Sequence, residues 1–264
     1  MAKDNTTRIG LGTYKLADPA TTVATALDMG YRLIDTATLY GNEAEVGRAV
    51  RNSATPREDI QVISKLRGSD QGRQARTAVE HSLRATGLDY LDAYLIHWPL
   101  PELNLYLHSY EQLLYAREDD LILQVGVSNF LPEHLEAIHR EFGEYPAVNQ
   151  VELHPYFPQA EQVEFHQDHG IATQGWSPLG RKTDLLAEPL VQRLAATHEC
   201  TAGQVLLAWQ LARGITPLPK SDRPARLAEN LAAANVPLSE PDVASLMDME
   251  RGRIGGDPTT FMEM

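Results

Sequence analysis

An alternation constrains this chain more than any other feature of its sequence. Short apolar runs recur along it, each followed by a polar turn and then a stretch with helix start and stop signals. The runs are Gly10–Gly12, Leu33–Asp35, Val62–Lys65, Ala93–His97, Gln124–Ser128, Val148–Glu152, Ala172–Trp176 and Ile215–Pro217, eight in all. Most are continuously apolar rather than alternating, as strands buried on both faces are. Strands interleaved with helices point to a parallel sheet with helices outside. Eight such units in 264 residues predict an α/β fold, a (β/α)8 TIM barrel, with residues 1–264 forming one domain.

The helix signals are local. Asp18 before Pro19 reads as an N-cap with proline at the first helical position, and Gly30 closes that helix. Asn42 precedes Glu43 and Glu45, which put negative charge at a positive helix end. A helix near Arg73–Thr86 ends at Gly87, one opening at Pro132 ends at Gly143, and one from about Gln159 ends at Gly170. Thr201 with Gln204 forms a capping box for a helix that Gly214 stops. Further helices cover about Pro224–Ala234 and the stretch begun by Ser239 and Asp242. Three segments resist regular structure and are expected to shape a pocket on the barrel rim: Trp98–Asn104, Leu179–Ala187 and the tail Glu250–Met264.

Charge and composition exclude several classes. The net charge is −13 and no Lys/Arg run opposes it, so a nucleic-acid partner is not expected. No apolar run is long enough to span a bilayer, the first seven residues are polar without a leader-like core, and no membrane association is expected. Cys200 is the only cysteine, which fits a reducing compartment and a cytoplasmic protein.

In a barrel of this kind, functional groups sit at the C-terminal ends of the strands. Asp35, Lys65 and His97 end three successive apolar runs, and Tyr40 follows Asp35 by five residues. A free phenol titrates near ~10, too high for efficient proton donation at neutral pH. A lysine cation beside it is expected to lower that value, with Asp35 holding the lysine charged and His97 donating to a substrate oxygen. Such a group protonates a carbonyl oxygen, but reduction also needs a hydride, and no side chain supplies one, so a nicotinamide or flavin is implied. No G-x-G-x-x-G joins a strand to a helix. An anion site is instead readable in Lys220, Ser221, Arg223 and Arg226 at a helix N-terminus after the last strand. His166 and His169 are spaced as metal ligands but have no third partner, and no metal is expected. His154 reads as structural, Trp209 as core and Cys200 as inert.

Taken together, Gly10-Leu11-Gly12-Thr13-Tyr14, Asp35 with Tyr40-Gly41-Asn42-Glu43, Ser64-Lys65, Leu95-Ile96-His97-Trp98-Pro99, Gly126-Val127-Ser128-Asn129-Phe130, Asn149-Gln150-Val151-Glu152 and Pro219-Lys220-Ser221 with Arg226, Glu229 and Asn230 resemble the aldo-keto reductases. The match runs in order from about Ile9 to Met249. Trp176-Ser177-Pro178-Leu179-Gly180, the Leu100–Tyr110 segment and the short tail resemble the bacterial 2,5-diketo-D-gluconate reductase group most. The resemblance implies NADP-dependent reduction of an aldehyde or ketone, with Tyr40 as general acid, Asp35 and Lys65 supporting it and His97 orienting the carbonyl. It implies that Gly12, Thr13, Ser128, Asn129, Gln150, Trp176, Ser177, Leu179 and Gly180 line the cofactor. Lys220, Ser221 and Arg226 would hold its 2′-phosphate, with Glu229 and Asn230 at the adenine. Tyr14, Leu39, His97 and Trp98 would meet the substrate. Asp222 departs from the family pattern beside the phosphate and opens a route to NADH as well as NADPH. A keto-sugar acid, an α-dicarbonyl or a general aldehyde all fit as substrate, and a monomer suffices. The rival readings are a non-catalytic cofactor-binding barrel of the same family and a barrel isomerase or lyase working without hydride.

Overall fold

The computed structural model describes residues 9–263; the polar N-terminal segment and Met264 at the end of the tail lie outside the described residues. Eight strands form one parallel sheet in sequence order: β1 (Leu11–Gly12), β2 (Leu33–Asp35), β3 (Gln61–Leu66), β4 (Leu91–Ile96), β5 (Ile122–Ser128), β6 (Val148–Glu152), β7 (Ala172–Trp176) and β8 (Thr216–Leu218). Backbone bonds from Gly10 N to Pro217 O (3.0 Å) and Gly12 N to Pro219 O (3.1 Å) bring the first and last strands together and close the barrel. The expected strands are all present, with β3, β4 and β5 beginning one or two residues earlier than their apolar runs suggest.

The pairing register explains why the interior has two layers. Side chains alternate across a strand, so residues two apart share a face. Asp35 pairs with Ile63, Lys65 with Leu95, Leu95 with Gly126, Ser128 with Gln150 and Gln150 with Gln174. Leu33, Ile63, Ala93, Leu95, Val148 and Leu218 therefore form an apolar plug inside the barrel. One step further along each strand, the same face carries Asp35, Lys65, His97, Ser128, Gln150 and Trp176. The outward residues, such as Ile34, Val62, Ile96 and Val127, pack against the surrounding helices in one large core.

The helices follow their signals where these were strong. Asp18 accepts from Thr21 N at 3.1 Å to cap α1 (Pro19–Asp28), and Thr201 with Gln204 makes the capping box of α8 (Ala202–Ala212). The helices α3 (Ala75–Thr86) and α5 (Pro132–Phe142) end on left-handed Gly87 and Gly143, and α10 (Glu240–Met247) starts at the Ser239–Asp242 box. At α2 (Glu43–Arg51) the first turn carries Glu43 and Glu45, as expected. The Asn42 side chain does not cap; it donates to Thr13 O (2.9 Å) and accepts from Thr36 Oγ1 (2.7 Å), tying the loop after β1 to the end of β2. Glu43 is buried and accepts from Ser64 Oγ at 2.6 Å. The sequence did not announce α4 (Tyr106–Glu118) or α7 (Pro189–Thr197); α6 (Ala160–Asp168) and α9 (Pro224–Ala232) lie where expected. No helix among the described residues is long and apolar enough to cross a membrane.

Candidate active site

Asp35 is the last residue of β2, Lys65 the last but one of β3, and His97 follows β4 directly. Tyr40 ends a single 3-10 turn, Thr38–Tyr40, closed by left-handed Gly41. The barrel makes these neighbours. Lys65 has no exposed surface; its Nζ donates to Asp35 Oδ1 (2.6 Å) and Thr36 O (2.8 Å) and lies 3.4 Å from the Tyr40 hydroxyl. The His97 ring stands edge-on to Tyr40 with centroids 6.1 Å apart, and Tyr14 covers Tyr40 at 5.0 Å.

The electrostatics differ from the sequence expectation. Burial first, then the Asp35 and Glu263 carboxylates, push the Tyr40 phenol well above its ordinary value, and Lys65 does not reverse this. The reason is that the Lys65 charge is already committed to Asp35 at 2.6 Å, and burial lowers the lysine's own value despite that partner. Tyr40 therefore keeps its proton through neutral pH.

Asn129 organises the next ring of groups from a left-handed backbone, φ 64°. Its Nδ2 donates to His97 O and to Ser128 Oγ, both at 3.0 Å, and its Oδ1 accepts from Trp176 Nε1 at 2.9 Å. One side chain thus fixes the tryptophan ring relative to the histidine. Ser128 Oγ donates to Gln150 O (2.8 Å), and Gln150 Nε2 donates to Asp35 Oδ1 (2.7 Å) and Gln174 Oε1 (3.1 Å). Ser177, also left-handed at φ 52°, turns the chain over the Trp176 side of the cavity.

A cavity of about 550 Å³ opens over these groups. It runs from His97 and Trp98 past Trp176 to Pro219 and Lys220, and includes Gly12, Tyr14, Leu39, Ser177 and Leu179. Thr13, Gly180, Ser221, Arg226, Glu229 and Asn230 do not line it. Thr13 is buried behind it and its Oγ1 has no hydrogen-bond partner among the described residues. Ser221 Oγ accepts from Arg223 N at 3.1 Å. Arg226 is exposed, Glu229 accepts from Thr201 Oγ1 at 2.7 Å, and Asn230 is buried against Tyr31.

Asp222 takes a position that sequence alone did not give. It accepts from Ala17 N at 2.7 Å and from the Lys220 ammonium, so the cation expected to meet a phosphate already has a partner. Burial would raise the Asp222 carboxyl, but those two bonds outweigh it and hold it below the usual carboxylate range. A nicotinamide dinucleotide nevertheless fits the residues present. The orphaned Thr13 hydroxyl, the fixed face of Trp176 and the cations Lys220 and Arg181 suit a flat ring joined to phosphates. The Arg181 guanidinium lies 5.3 Å over the Trp176 ring.

The tail contributes more than the sequence reading assigned. Glu152 accepts from Ile254 N (2.7 Å) and Gly255 N (2.8 Å), strapping the tail to the end of β6. A Cβ on Gly255 would lie 2.3 Å from the Trp176 ring, so only glycine allows this approach. Phe261 packs on Trp98 at 4.2 Å, and Glu263 enters the cavity beside His97. Tail composition carried no signal for this, because the placement depends on long-range contacts.

Comparison with known proteins matches this arrangement. The model of the aldo/keto reductase family matches residues 8–251. The chain is 46% identical over 259 residues to the 2,5-diketo-D-gluconic acid reductase B of Corynebacterium sp. (strain SHS752001), which covers 97% of this chain and 94% of that protein. It is 46% identical over 258 residues to an aldo-keto reductase of Mycolicibacterium smegmatis, covering 96% of this chain and 94% of that one. Among solved structures, an aldo/keto reductase from Brucella melitensis superposes with a TM-score of 0.88 at 39% identity, covering 92% of this chain and 93% of that one. A mutant of Gox0644 in complex with NADPH superposes at 0.91 with 38% identity, covering 97% and 94%. The site geometry, the barrel and matches that run nearly end to end converge on one conclusion: the chain belongs to the aldo/keto reductase family, oxidoreductases that work with nicotinamide cofactors.

Proposed function

We propose that this protein reduces an aldehyde or ketone to the alcohol with NADPH, using Tyr40 as the general acid. The observation that carries the reading is that Asp35, Tyr40 and His97 line one cavity, with Lys65 buried beneath them in a 2.6 Å ion pair with Asp35. When bound, the nicotinamide supplies the hydride that the carbonyl carbon accepts. The chain's own residues manage the oxygen. His97 and the Tyr40 hydroxyl donate to it, the carbonyl π electrons move onto it, and the Tyr40 proton completes the alcohol. The raised phenol does not oppose this step, because an alkoxide is far more basic than a phenolate. Lys65, 3.4 Å from the phenol oxygen, sits beside the negative charge left on Tyr40.

Ser128, Asn129 and Gln150 are proposed to orient the nicotinamide amide, and Trp176 to present its face to the ring. Gly12, Thr13, Ser177, Leu179 and Gly180 are assigned to the dinucleotide's length, and Lys220, Ser221 and Arg226 to a 2′-phosphate. Glu229 is kept for the adenine end, and Asn230 acts there only through its packing on Tyr31. Tyr14, Leu39 and Trp98 meet the substrate. The relative named for 2,5-diketo-D-gluconic acid and the Gox0644 complex with NADPH support the substrate class and the cofactor. The test is oxidation of NADPH and NADH over a panel of aldehydes, α-dicarbonyls and keto-sugar acids. Substrate-dependent oxidation, faster with NADPH, is expected, and its absence with every carbonyl would remove the reading. Tyr40→Phe is expected to lower turnover roughly 10²–10⁴-fold while cofactor still binds; retained turnover would take the acid role from Tyr40.

A further inference from the structure

We propose that Glu263 is a specificity-determining residue that makes the pocket disfavour a carboxylate on the reacting carbon, so that a 2-keto acid is reduced at its 2-carbonyl less well than its uncharged ester. The inference rests on the carbonyl-reductase reading for its turnover measurement. Glu263 is 6% exposed. Its Oε2 accepts from Gly68 N at 3.1 Å, and its Oε1 lies 2.7 Å from His97 Nδ1 without the alignment of a hydrogen bond, a close polar contact between two buried side chains. The tail is seated firmly enough to keep it there. Phe261 packs on Trp98, and a Cβ on Gly68 would lie 2.2 Å from Glu263 O, so the two backbones are flush.

The charge acts on the reacting groups themselves. The Glu263 carboxylate adds to the upward shift of the Tyr40 phenol and works against the burial that lowers the Lys65 ammonium. The other charges facing the site do not cancel it. Lys65 is neutralised by Asp35 at 2.6 Å, Lys220 is paired with Asp222, and Lys15 and Arg181 are exposed at the mouth, where solvent screens them. A 2-keto acid carries its carboxylate one bond from the reacting carbon, beside His97. There it meets a like charge in a poorly screened cavity, whereas an ester or a second ketone at the same position does not. Like charges a few ångströms apart at the effective dielectric of such sites correspond to roughly a ten- to hundredfold loss.

Benzoylformate and its methyl ester share a skeleton and differ in this charge. The measurement is the ratio of kcat/KM for ester over acid, with NADPH, in the wild type, in Glu263→Gln and in a chain ending at Met262. The ratio is expected to fall roughly ten- to hundredfold in both variants, through improved use of the acid. An unchanged ratio in both, or a wild type that prefers the acid, overturns the proposal. If the wild type reduces neither compound, binding is read instead, and the reductase reading falls only if every carbonyl of the panel above fails as well. Calorimetric titration in the presence of oxidised NADP, which has no hydride to give, then decides. Tighter binding of the ester to the wild type, with acid affinity gained in Glu263→Gln, supports the charge role. Equal affinities, or no binding of either compound to any of the three proteins, overturn it.

Discussion

A lysine without exposed surface stays charged only beside a carboxylate, and Lys65 has Asp35 at 2.6 Å. Removing one partner of such a pair leaves the other charge buried and alone, which costs about 3–5 kcal/mol. Lys65→Met is therefore expected to lose both turnover and stability. Adding Asp35→Asn should restore most of the stability, read from urea midpoints, and none of the turnover; a double variant no more stable than the single would show that the pair is not what the fold depends on. Asp222 offers a second residue-scale prediction. Asp222→Asn keeps an oxygen for Ala17 N but releases Lys220. The pair is about one-third exposed, so the gain is about 1 kcal/mol at most, a several-fold rise in NADPH-over-NADH preference measured as a ratio of kcat/KM. That Asp35, Tyr40, Lys65 and His97 would meet was legible because each ends or closely follows a strong apolar run. The raised Tyr40 phenol was not legible, since it depends on burial and on Glu263, brought in from the far end of the sequence.

Among the elements, those with their own boundary chemistry were readable and those without were not. Neither Leu105 before α4 nor Glu188 before α7 makes a side-chain cap bond; α4 starts where packing places it, and α7 has only Pro189 at its first position to mark its start. Helix α6 shows what packing can impose. His166, on its inward face, meets both Asn149 Nδ2 (3.0 Å) and Gln162 Nε2 (2.7 Å) at Nε2, and Thr173 Oγ1 (2.9 Å) at Nδ1. Two amide donors at Nε2 require the neutral ring with its proton on Nδ1. The same two amides donate to Phe130 O, so the ring braces the loop that carries Asn129. Its neighbour in the spacing, His169, stacks on Phe165 at 4.2 Å instead of sharing a ligand with it. Burial pushes the His166 imidazole down to about 4. Between its ordinary value near ~6.5 and that lowered one, the unfolded chain binds a proton that the fold does not, so stability falls as pH falls through this window. Urea unfolding at pH 7 and pH 4.5 is expected to show His166→Gln losing about 2–3 kcal/mol less than the wild type between the two conditions. Equal losses would mean that protonation of His166 does not contribute.

At the scale of the whole molecule, the barrel has to close before the site exists. Asp35, Lys65 and His97 come from adjacent strands, but the cavity also needs Gly12 on one side of the seam and Lys220 on the other. The seam is narrow: β1 has two residues and β8 three, and the closing bonds run from Gly10 and Gly12 to Pro217 and Pro219. Gly10 is pressed into the apolar plug, where a Cβ would lie 2.4 Å from Leu218 Cδ2 and 2.8 Å from Leu33 Cδ2. Gly10→Ala therefore overpacks the interior exactly where the first and last strands meet, at a cost of about 1–3 kcal/mol. In a chain of this size that lowers the unfolding midpoint by roughly 2–10 °C. Because closure joins the two ends of the sequence, the loss should be felt everywhere at once. Far-ultraviolet circular dichroism and tryptophan fluorescence are expected to shift together in a single transition. Separate midpoints for the two signals would mean that the halves of the barrel melt independently and that the seam does not couple them.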